Sequence, residues 1–177
     1  MSGKRIPVRD LCLVGIFAAI ISVLSPLGFP MPYGVPMTLQ TFIIPFSGVA
    51  LGAKRGAAST LIYVLLGISG LPVFSGFTGG LGVLFGRTGG FIVSFPIMAL
   101  TAGIGAGKNK MTWLAAGLVT GSAINFACGM LMFGFIAHCD IGSAFTACVL
   151  PFIPAALIKI LVIAALGLGF NKSRLRL

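Results

Sequence analysis

Four clusters of basic residues divide this chain into three long apolar intervals, and this division limits what the chain can fold into. Each interval is long enough for two membrane spans of about 20 residues and a connecting loop. Because basic residues beside spans favour the cytoplasmic side, the pattern predicts six transmembrane helices with both termini in the cytoplasm. The clusters contain ten of the twelve lysines and arginines: Lys4, Arg5 and Arg9; Lys54 and Arg55; Lys108 and Lys110; and Lys172, Arg174 and Arg176.

The composition of the 177 residues indicates an integral membrane protein. Hydrophobic residues make up 58% of the chain, charged residues make up 8%, and the mean hydropathy is +1.13, which is far from the composition of soluble domains. Long apolar runs favour helices over a β-barrel, whose strands alternate apolar and polar residues. The net charge of +10 lies at predicted helix ends and does not indicate nucleic-acid binding. We expect one all-α domain over residues 1–177, embedded in the lipid of the cytoplasmic membrane.

A glycine-rich external loop is predicted between the third and fourth helices, over residues 70–90. A glycine inside a helix costs about 1 kcal/mol relative to alanine, so this segment does not favour a continuous helix. Irregular backbone at membrane depth survives where protein buries it or where it lines a cavity. Because Phe74, Phe77 and Phe85 are interspersed with the glycines, we expect an ordered loop that caps a pocket, in preference to a flexible linker. The predicted spans are residues 11–27, 37–53, 57–68, 91–106, 113–135 and 145–170.

Two basic residues, Arg87 and Lys159, lie outside the four clusters. Lys159 is predicted about 12 Å into the sixth span at 1.5 Å per residue, where a lysine costs about 2.5 to 3.5 kcal/mol on insertion scales. The acids of the chain, Asp10 and Asp140, fall at the inner end of the first span and in the loop before the sixth. The two cations therefore favour an anionic ligand, most simply a carboxylate. The alternative is that Lys159 bonds backbone carbonyls freed by nearby prolines while Arg87 only decorates the loop.

This sequence lacks the residues that catalysis and ATP hydrolysis need. Residues 103–109 (GIGAGKN) have neither the spacing nor the hydroxyl of a phosphate-binding loop. The spans carry no paired carboxylates for proton or sodium coupling and no cluster of histidine, cysteine and aspartate for hydrolysis. We therefore expect no enzyme activity, no catalytic residues, no metal site and no cofactor.

Small residues on the first span form a candidate docking surface for a partner subunit. Gly15 with Ala19, and Ala18 with Ser22, repeat at a spacing of four and would give a smooth stripe for close helix packing. The same stripe suits packing within this chain, and the sequence leaves both uses open.

Residues 35–41 (VPMTLQT), 70–77 (GLPVFSGF), 86–91 (GRTGGF) and 151–154 (PFIP) followed by Lys159 form an ordered set of motifs. Together they resemble the BioY family, the biotin-binding S components of energy-coupling factor (ECF) transporters, over nearly the whole chain. The resemblance implies a six-helix protein whose outward pocket is closed by the connection between the first two helices and by the glycine-rich loop. It also implies a partner module, consisting of a transmembrane coupling subunit and two ATPase subunits, that docks on the small-residue face of the first helix.

The resemblance also suggests which residues bind the ligand. Two cations match family positions that contact biotin, at its carboxylate or its ureido group: Arg87 and Lys159. Three aromatic residues are expected to supply apolar walls and a lid: Phe74, Phe77 and Tyr33. Gln40, at the outer end of the second span, is a further candidate for ligand binding.

One position, Ala156, departs from the family pattern. The family usually has Gly-Asp after the second proline of the PxxP motif, whereas this chain has Ala155 and Ala156. An aspartate at position 156 would lie one helical turn from Lys159, where it could pair with the lysine or accept ureido N–H groups. Loss of one such bond costs about ten- to hundredfold in affinity. The sequence leaves open whether biotin is held less tightly, whether other groups bind its polar head, or whether the ligand differs.

The function that these observations favour is biotin uptake by substrate capture and alternating access. Two alternatives remain at this point. One is an S component for another carboxylated small molecule or vitamin, and the other is a structural membrane subunit that binds no substrate.

Overall fold

The structure, a computed structural model, describes residues 7–31 and 34–173, with side chains up to residue 167. Within these residues the chain is mostly helical and adds one short antiparallel hairpin. The helices are α1 (Val8–Leu24), α2 (Gln40–Leu51), α3 (Ala53–Ile68), α4 (Leu81–Leu84), α5 (Gly89–Gly107), α6 (Met111–Ala137), α7 (Ile141–Cys148) and α8 (Ile153–Ser173). In the hairpin, strand β1 (Gly28–Phe29) pairs with strand β2 (Met37–Thr38).

Three of the described segments are long and apolar enough to cross a membrane. They are Gly89–Gly107, Met111–Ala137 and Ile141–Gly167. The first three predicted spans correspond to α1, α2 and α3, which contain 17, 12 and 16 residues. Helix α2 begins at Gln40 and not at Met37, because the two residues of β2 are drawn into the hairpin.

The sixth span, predicted as one continuous helix, is divided into α7 and α8 by a 3-10 turn at Leu150–Phe152. Pro151 lies in this turn. Proline has no backbone N–H and disfavours helical backbone at the residue before it, so a helix is readily interrupted here. The prediction of one continuous helix was therefore wrong in this detail. Helix α8 begins at Ile153, about 9 Å along the helix axis before Lys159 at 1.5 Å per residue.

Residues of the first three basic clusters lie at one end of the bundle. At this end, Arg55 Nη2 at the start of α3 forms an ion pair of 2.7 Å with Asp10 Oδ1 at the start of α1. Near the end of α5, Gly103 packs directly against Ala53 at the start of α3. The turn after α5, which carries the third basic cluster, therefore lies at this end as well.

Three glycines allow α2, α3 and α5 to approach one another closely. Gly48 of α2 packs against the carbonyl group of Ala99 in α5. Gly56 of α3 packs against the backbone of Gly48, and Gly103 of α5 packs against the Gly48 carbonyl. Backbone contact of this kind requires the absence of a Cβ, as is common between membrane helices. These contacts hold α5 against α2 and α3, and α6 packs on α5 as well.

The opposite end of the bundle is covered by the hairpin and by the loop between α3 and α5. The loop backbone is tied to α3, since Gly80 N donates a hydrogen bond of 2.7 Å to Gly67 O. Phe74 of the loop is fully buried against Gly67, and its ring meets that of Tyr63 edge-on at a centroid distance of 5.7 Å. These contacts confirm the prediction of an ordered loop.

We expect Gly48→Ala to destabilise the bundle by about 1 to 3 kcal/mol, because the added methyl group would overlap the Ala99 carbonyl and separate α2 from α5. Gly107→Ala is the matched control, since a Cβ at Gly107 would meet nothing within 4 Å. Thermal unfolding of the purified proteins in detergent measures the difference. Equal melting temperatures for the two variants would contradict the close approach of α2 and α5.

Candidate ligand-binding site

A cavity of about 320 Å³ lies at the end of the bundle that the hairpin and the loop cover. Its volume falls within the range of small-molecule pockets, about 300 to 1,000 Å³. Aromatic side chains form much of its wall: Phe74, Phe91, Phe95, Phe126 and Phe152. Polar side chains reach it from the hairpin, the start of α2, the loop and the start of α5: Thr38, Gln40, Thr41, Ser75, Thr78 and Thr88. The cavity therefore suits a mainly apolar molecule with a few polar groups.

Lys159 reaches the wall of this cavity from α8. Its Nζ donates hydrogen bonds to the Thr38 carbonyl oxygen at 2.7 Å and to Thr41 Oγ1 at 2.8 Å. Both threonines line the cavity, and the lysine side chain is half-buried behind them. Neutral oxygens solvate an ammonium without balancing its charge, so the wall at this point carries a net positive charge. The lysine does bond a backbone carbonyl, but that carbonyl belongs to the hairpin and not to the prolines near α8.

The two acids of the chain bond other groups. Asp10 pairs with Arg55 at the far end of the bundle. Asp140 caps α7, where its carboxylate accepts hydrogen bonds from Ser143 N at 3.1 Å and from Ser143 Oγ at 2.6 Å. These bonds, the hydroxyl bond foremost, lower the pKa of Asp140. Neither carboxylate is bonded to Lys159.

Gln40 presents a fixed amide to the cavity. Its Nε2 donates to Tyr63 Oη at 2.7 Å, and its Oε1 accepts from Thr38 Oγ1 at 3.0 Å. Gln40 is 6% exposed and Tyr63 is fully buried. Because protein groups hold both the oxygen and the nitrogen of the amide, the second N–H of Nε2 has a fixed direction and is available to donate to a ligand.

Arg87 lies beside the cavity wall and does not line the cavity itself. Its sequence neighbours Gly86 and Thr88 are part of the lining, whereas its own side chain borders a second cavity of about 370 Å³ next to α6 and α7. A Cβ built on Gly34 would lie 3.4 Å from Arg87 Nη1, so the guanidinium packs against the segment that leads into β2. Arg87 and Lys159 thus approach the wall at different places.

The predicted aromatic residues have different environments. Phe74 is fully buried and lines the cavity. Phe77 is 66% exposed and does not line it, because the loop turns at Gly76, which has φ +67°. Tyr33 lies outside the described residues.

Ala156 borders a small void and not the main cavity. The void measures about 10 Å³ and lies between α2, α6 and α8, with Thr41, Ser122 and Asn125 among its lining residues. A space of this size holds about one water molecule. Thr41 and Phe126 border both the void and the cavity, and Thr41 is the polar one of the two side chains that connect position 156 to the candidate site.

The small-residue stripe on α1 is divided between two faces. Ala18 is 2% exposed and packs inside the bundle, which is the other use of the stripe that the sequence leaves open. Ser22 is half-buried, and its hydroxyl donates to the Ala18 carbonyl at 2.8 Å. Gly15 and Ala19 face outward, and a Cβ at Gly15 would meet nothing within 4 Å.

The sequence did not reveal three groups that shape the site. They are the Thr38 carbonyl, the Thr41 hydroxyl and the phenol of Tyr63, which hold Lys159 and Gln40. One available signal was Tyr63 itself, because a tyrosine within an apolar helix needs a partner for its hydroxyl.

A helical membrane bundle with an aromatic cavity and a positive charge in the cavity wall defines a class: membrane proteins that bind a small molecule. Within residues 7–31 and 34–173, no three histidine, cysteine or acidic side chains gather into a metal site. The family model described as the BioY family matches residues 1–176. The chain belongs to the BioY family.

Individual relatives cover nearly the whole chain. It is 39% identical over 165 residues to "Biotin transporter BioY" of Thermotoga maritima, which covers 93% of this chain and 96% of the relative. It is 36% identical over 166 residues to "Biotin transporter BioY2" of Lactococcus lactis subsp. cremoris, covering 93% and 91%. The fold is similar to the crystal structure of the S-component for biotin from an ECF-type ABC transporter, with a TM-score of 0.85, 23% identity, and coverage of 97% of this chain and 95% of that chain.

We expect Tyr63→Phe to lower the free energy of unfolding by about 1 to 3 kcal/mol, because the buried Gln40 amide loses its acceptor. Ser59→Ala in the same helix is the control, since it removes a hydroxyl whose bond to the Arg55 carbonyl stays within α3. Denaturation curves of both variants in detergent give the comparison. If Tyr63→Phe were no less stable than Ser59→Ala, the bond to Gln40 would contribute nothing.

Proposed function

We propose that this chain captures biotin outside the cell and carries it across the cytoplasmic membrane as the S component of an ECF-type transporter. Membership of the BioY family and relatives named as biotin transporters support this function. The chain is not an enzyme: its task is to bind a molecule on one side and to release it unchanged on the other.

The observation that carries the proposal is Lys159 in the wall of an aromatic cavity, bonded to two neutral oxygens and to no acid. A charge removed from water is stabilised when an opposite charge and further hydrogen bonds complete its surroundings. A ligand carboxylate supplies that charge, while the phenylalanine lining accommodates the apolar part of the ligand. Biotin combines a carboxylate on an aliphatic chain with a polar ureido head.

Other residues are proposed to bind the remaining parts of the ligand. The Gln40 amide, which can donate and accept, is a candidate for the ureido head, and Phe74 forms an apolar wall. Arg87 lies beside the cavity next to Gly34 and is proposed to reach the ligand from that side. Phe77, exposed on the loop, and the loop of Tyr33 are proposed to close the cavity after the ligand enters.

Ala156 is proposed to tune this site indirectly. Its methyl group leaves the void next to Thr41 where the family usually has an aspartate. The affinity of this chain for biotin is to be compared with that of Ala156→Asp. A higher affinity in Ala156→Asp means that the alanine weakens the binding of the ureido head, and an equal affinity means that other groups bind it.

The proposed topology has six spans with both termini in the cytoplasm. The spans are α1, α2, α3, α5, α6 and the α7–α8 pair. Three basic clusters meet at one end of the bundle, which is the end that the positive-inside rule assigns to the cytoplasm. The cavity lies at the other end and therefore faces the outside, where biotin is captured.

The proposed partners are a transmembrane coupling subunit and two ATPase subunits. This sequence contains no phosphate-binding loop, so ATP hydrolysis would take place on the partners. Gly15 and Ala19, on the outward face of α1, form the proposed docking surface because small residues let a partner helix approach closely.

We expect Lys159→Met to weaken biotin binding about ten- to hundredfold, because the cavity wall loses the positive charge that favours the ligand carboxylate. The matched control is Lys108→Met: Lys108 lies over the Trp113 ring at 5.8 Å, at the other end of the bundle, and its loss should leave the affinity unchanged. Equilibrium binding of labelled biotin to the purified full chain provides the measurement.

Two results of this experiment would refute the proposal: an unaltered chain that shows no saturable biotin binding, or equal affinity in Lys159→Met. Competition of labelled biotin by a panel of vitamins identifies the preferred ligand. A different carboxylated vitamin that displaces biotin at lower concentration would make the chain an S component for that vitamin.

A further inference from the structure

Thr41 lies between the Lys159 ammonium and the cavity. Lys159 Nζ donates to Thr41 Oγ1 at 2.8 Å, and Thr41 lines the cavity whereas Lys159 does not. The other group bonded to the lysine is the Thr38 carbonyl, which accepts hydrogen bonds and cannot donate one. Of the two protein groups bonded to the ammonium, only the Thr41 hydroxyl can therefore offer a proton to an anion.

The hydroxyl proton of Thr41 has no acceptor within residues 7–31 and 34–167. Buried hydroxyls elsewhere in the helices donate to backbone carbonyls of their own helix, as Ser47 does to Ile44 and Thr60 does to Gly56. For Thr41, the carbonyl three residues earlier is that of Thr38, which lies before the start of α2 and accepts from Lys159 instead. Among the described residues, no oxygen takes the Thr41 proton.

We propose that Thr41 contacts the ligand directly and donates its hydroxyl proton to the ligand carboxylate, while Lys159 acts through it as a positioning residue. This assignment rests on the proposed function. A hydroxyl whose oxygen accepts a bond from an ammonium is polarised, so its own O–H becomes a stronger donor in a low-dielectric site. Bonds to ionised acceptors are about twice as strong as neutral ones, so the hydroxyl discriminates in favour of a carboxylate over an ester.

The test compares biotin with biotin methyl ester, which lacks the negative charge. Dissociation constants are measured for the purified full chain and for Thr41→Val and Thr41→Ser. We expect Thr41→Val to weaken biotin about ten- to hundredfold and the ester much less, and Thr41→Ser to restore the preference for biotin. Thr60→Val is the matched control, since Thr60 is buried, lies in α3 and does not line the cavity.

The action of Lys159 through Thr41 is tested by the double variant. In a Lys159→Met background, Thr41→Val should cost much less biotin affinity than it does alone, because the hydroxyl is no longer polarised. If the losses of biotin affinity in the two single variants were simply additive in the double variant, Lys159 would not act through Thr41.

The direct contact fails if Thr41→Val weakens biotin and its methyl ester equally, or if Thr41→Ser does not restore the preference. Should Thr41→Val not fold, Thr41→Ala, which leaves more space and also lacks the hydroxyl, is measured in its place with the same two ligands. An unaltered chain that binds neither ligand would refute the proposed function itself, a result distinct from equal losses in the variant.

Discussion

An ammonium group in the wall of an apolar cavity is the constraint on which the site depends. Lys159 can stay charged there only if oxygens surround it, and the nearest ones are the Thr38 carbonyl and the Thr41 hydroxyl. The carbonyl is available because α2 begins at Gln40, so Thr38 lies outside the hydrogen-bond ladder of the helix. The position of the hairpin, the start of α2 and the placement of α8 are therefore coupled through one side chain.

Glycine serves two purposes in this fold, and both help to form the cavity. Between α2, α3 and α5 it removes side chains so that backbones touch near the basic end of the bundle. In the loop after α3 it permits an irregular path that carries Phe74 into the core while Phe77 stays outside. Tight packing at one end and a folded cover at the other leave the space between the helices as a cavity with an aromatic wall.

Most helices could be located from the sequence because apolar runs bounded by basic clusters and glycine leave few alternatives. The environment of Lys159 could be anticipated only in part. That it needed a polar partner followed from its predicted depth in the membrane, but its actual partners are 121 and 118 residues away in sequence. The opposite orientations of Phe74 and Phe77 depend on the backbone at Gly76, which composition does not specify.

The segment from Gly34 to Thr41 connects Arg87 and Lys159, the two cations that lie outside the four basic clusters. At its start, Gly34 packs against the Arg87 guanidinium, and at its end the two threonines hold the Lys159 ammonium. A displacement of this segment would therefore alter the surroundings of both cations at once.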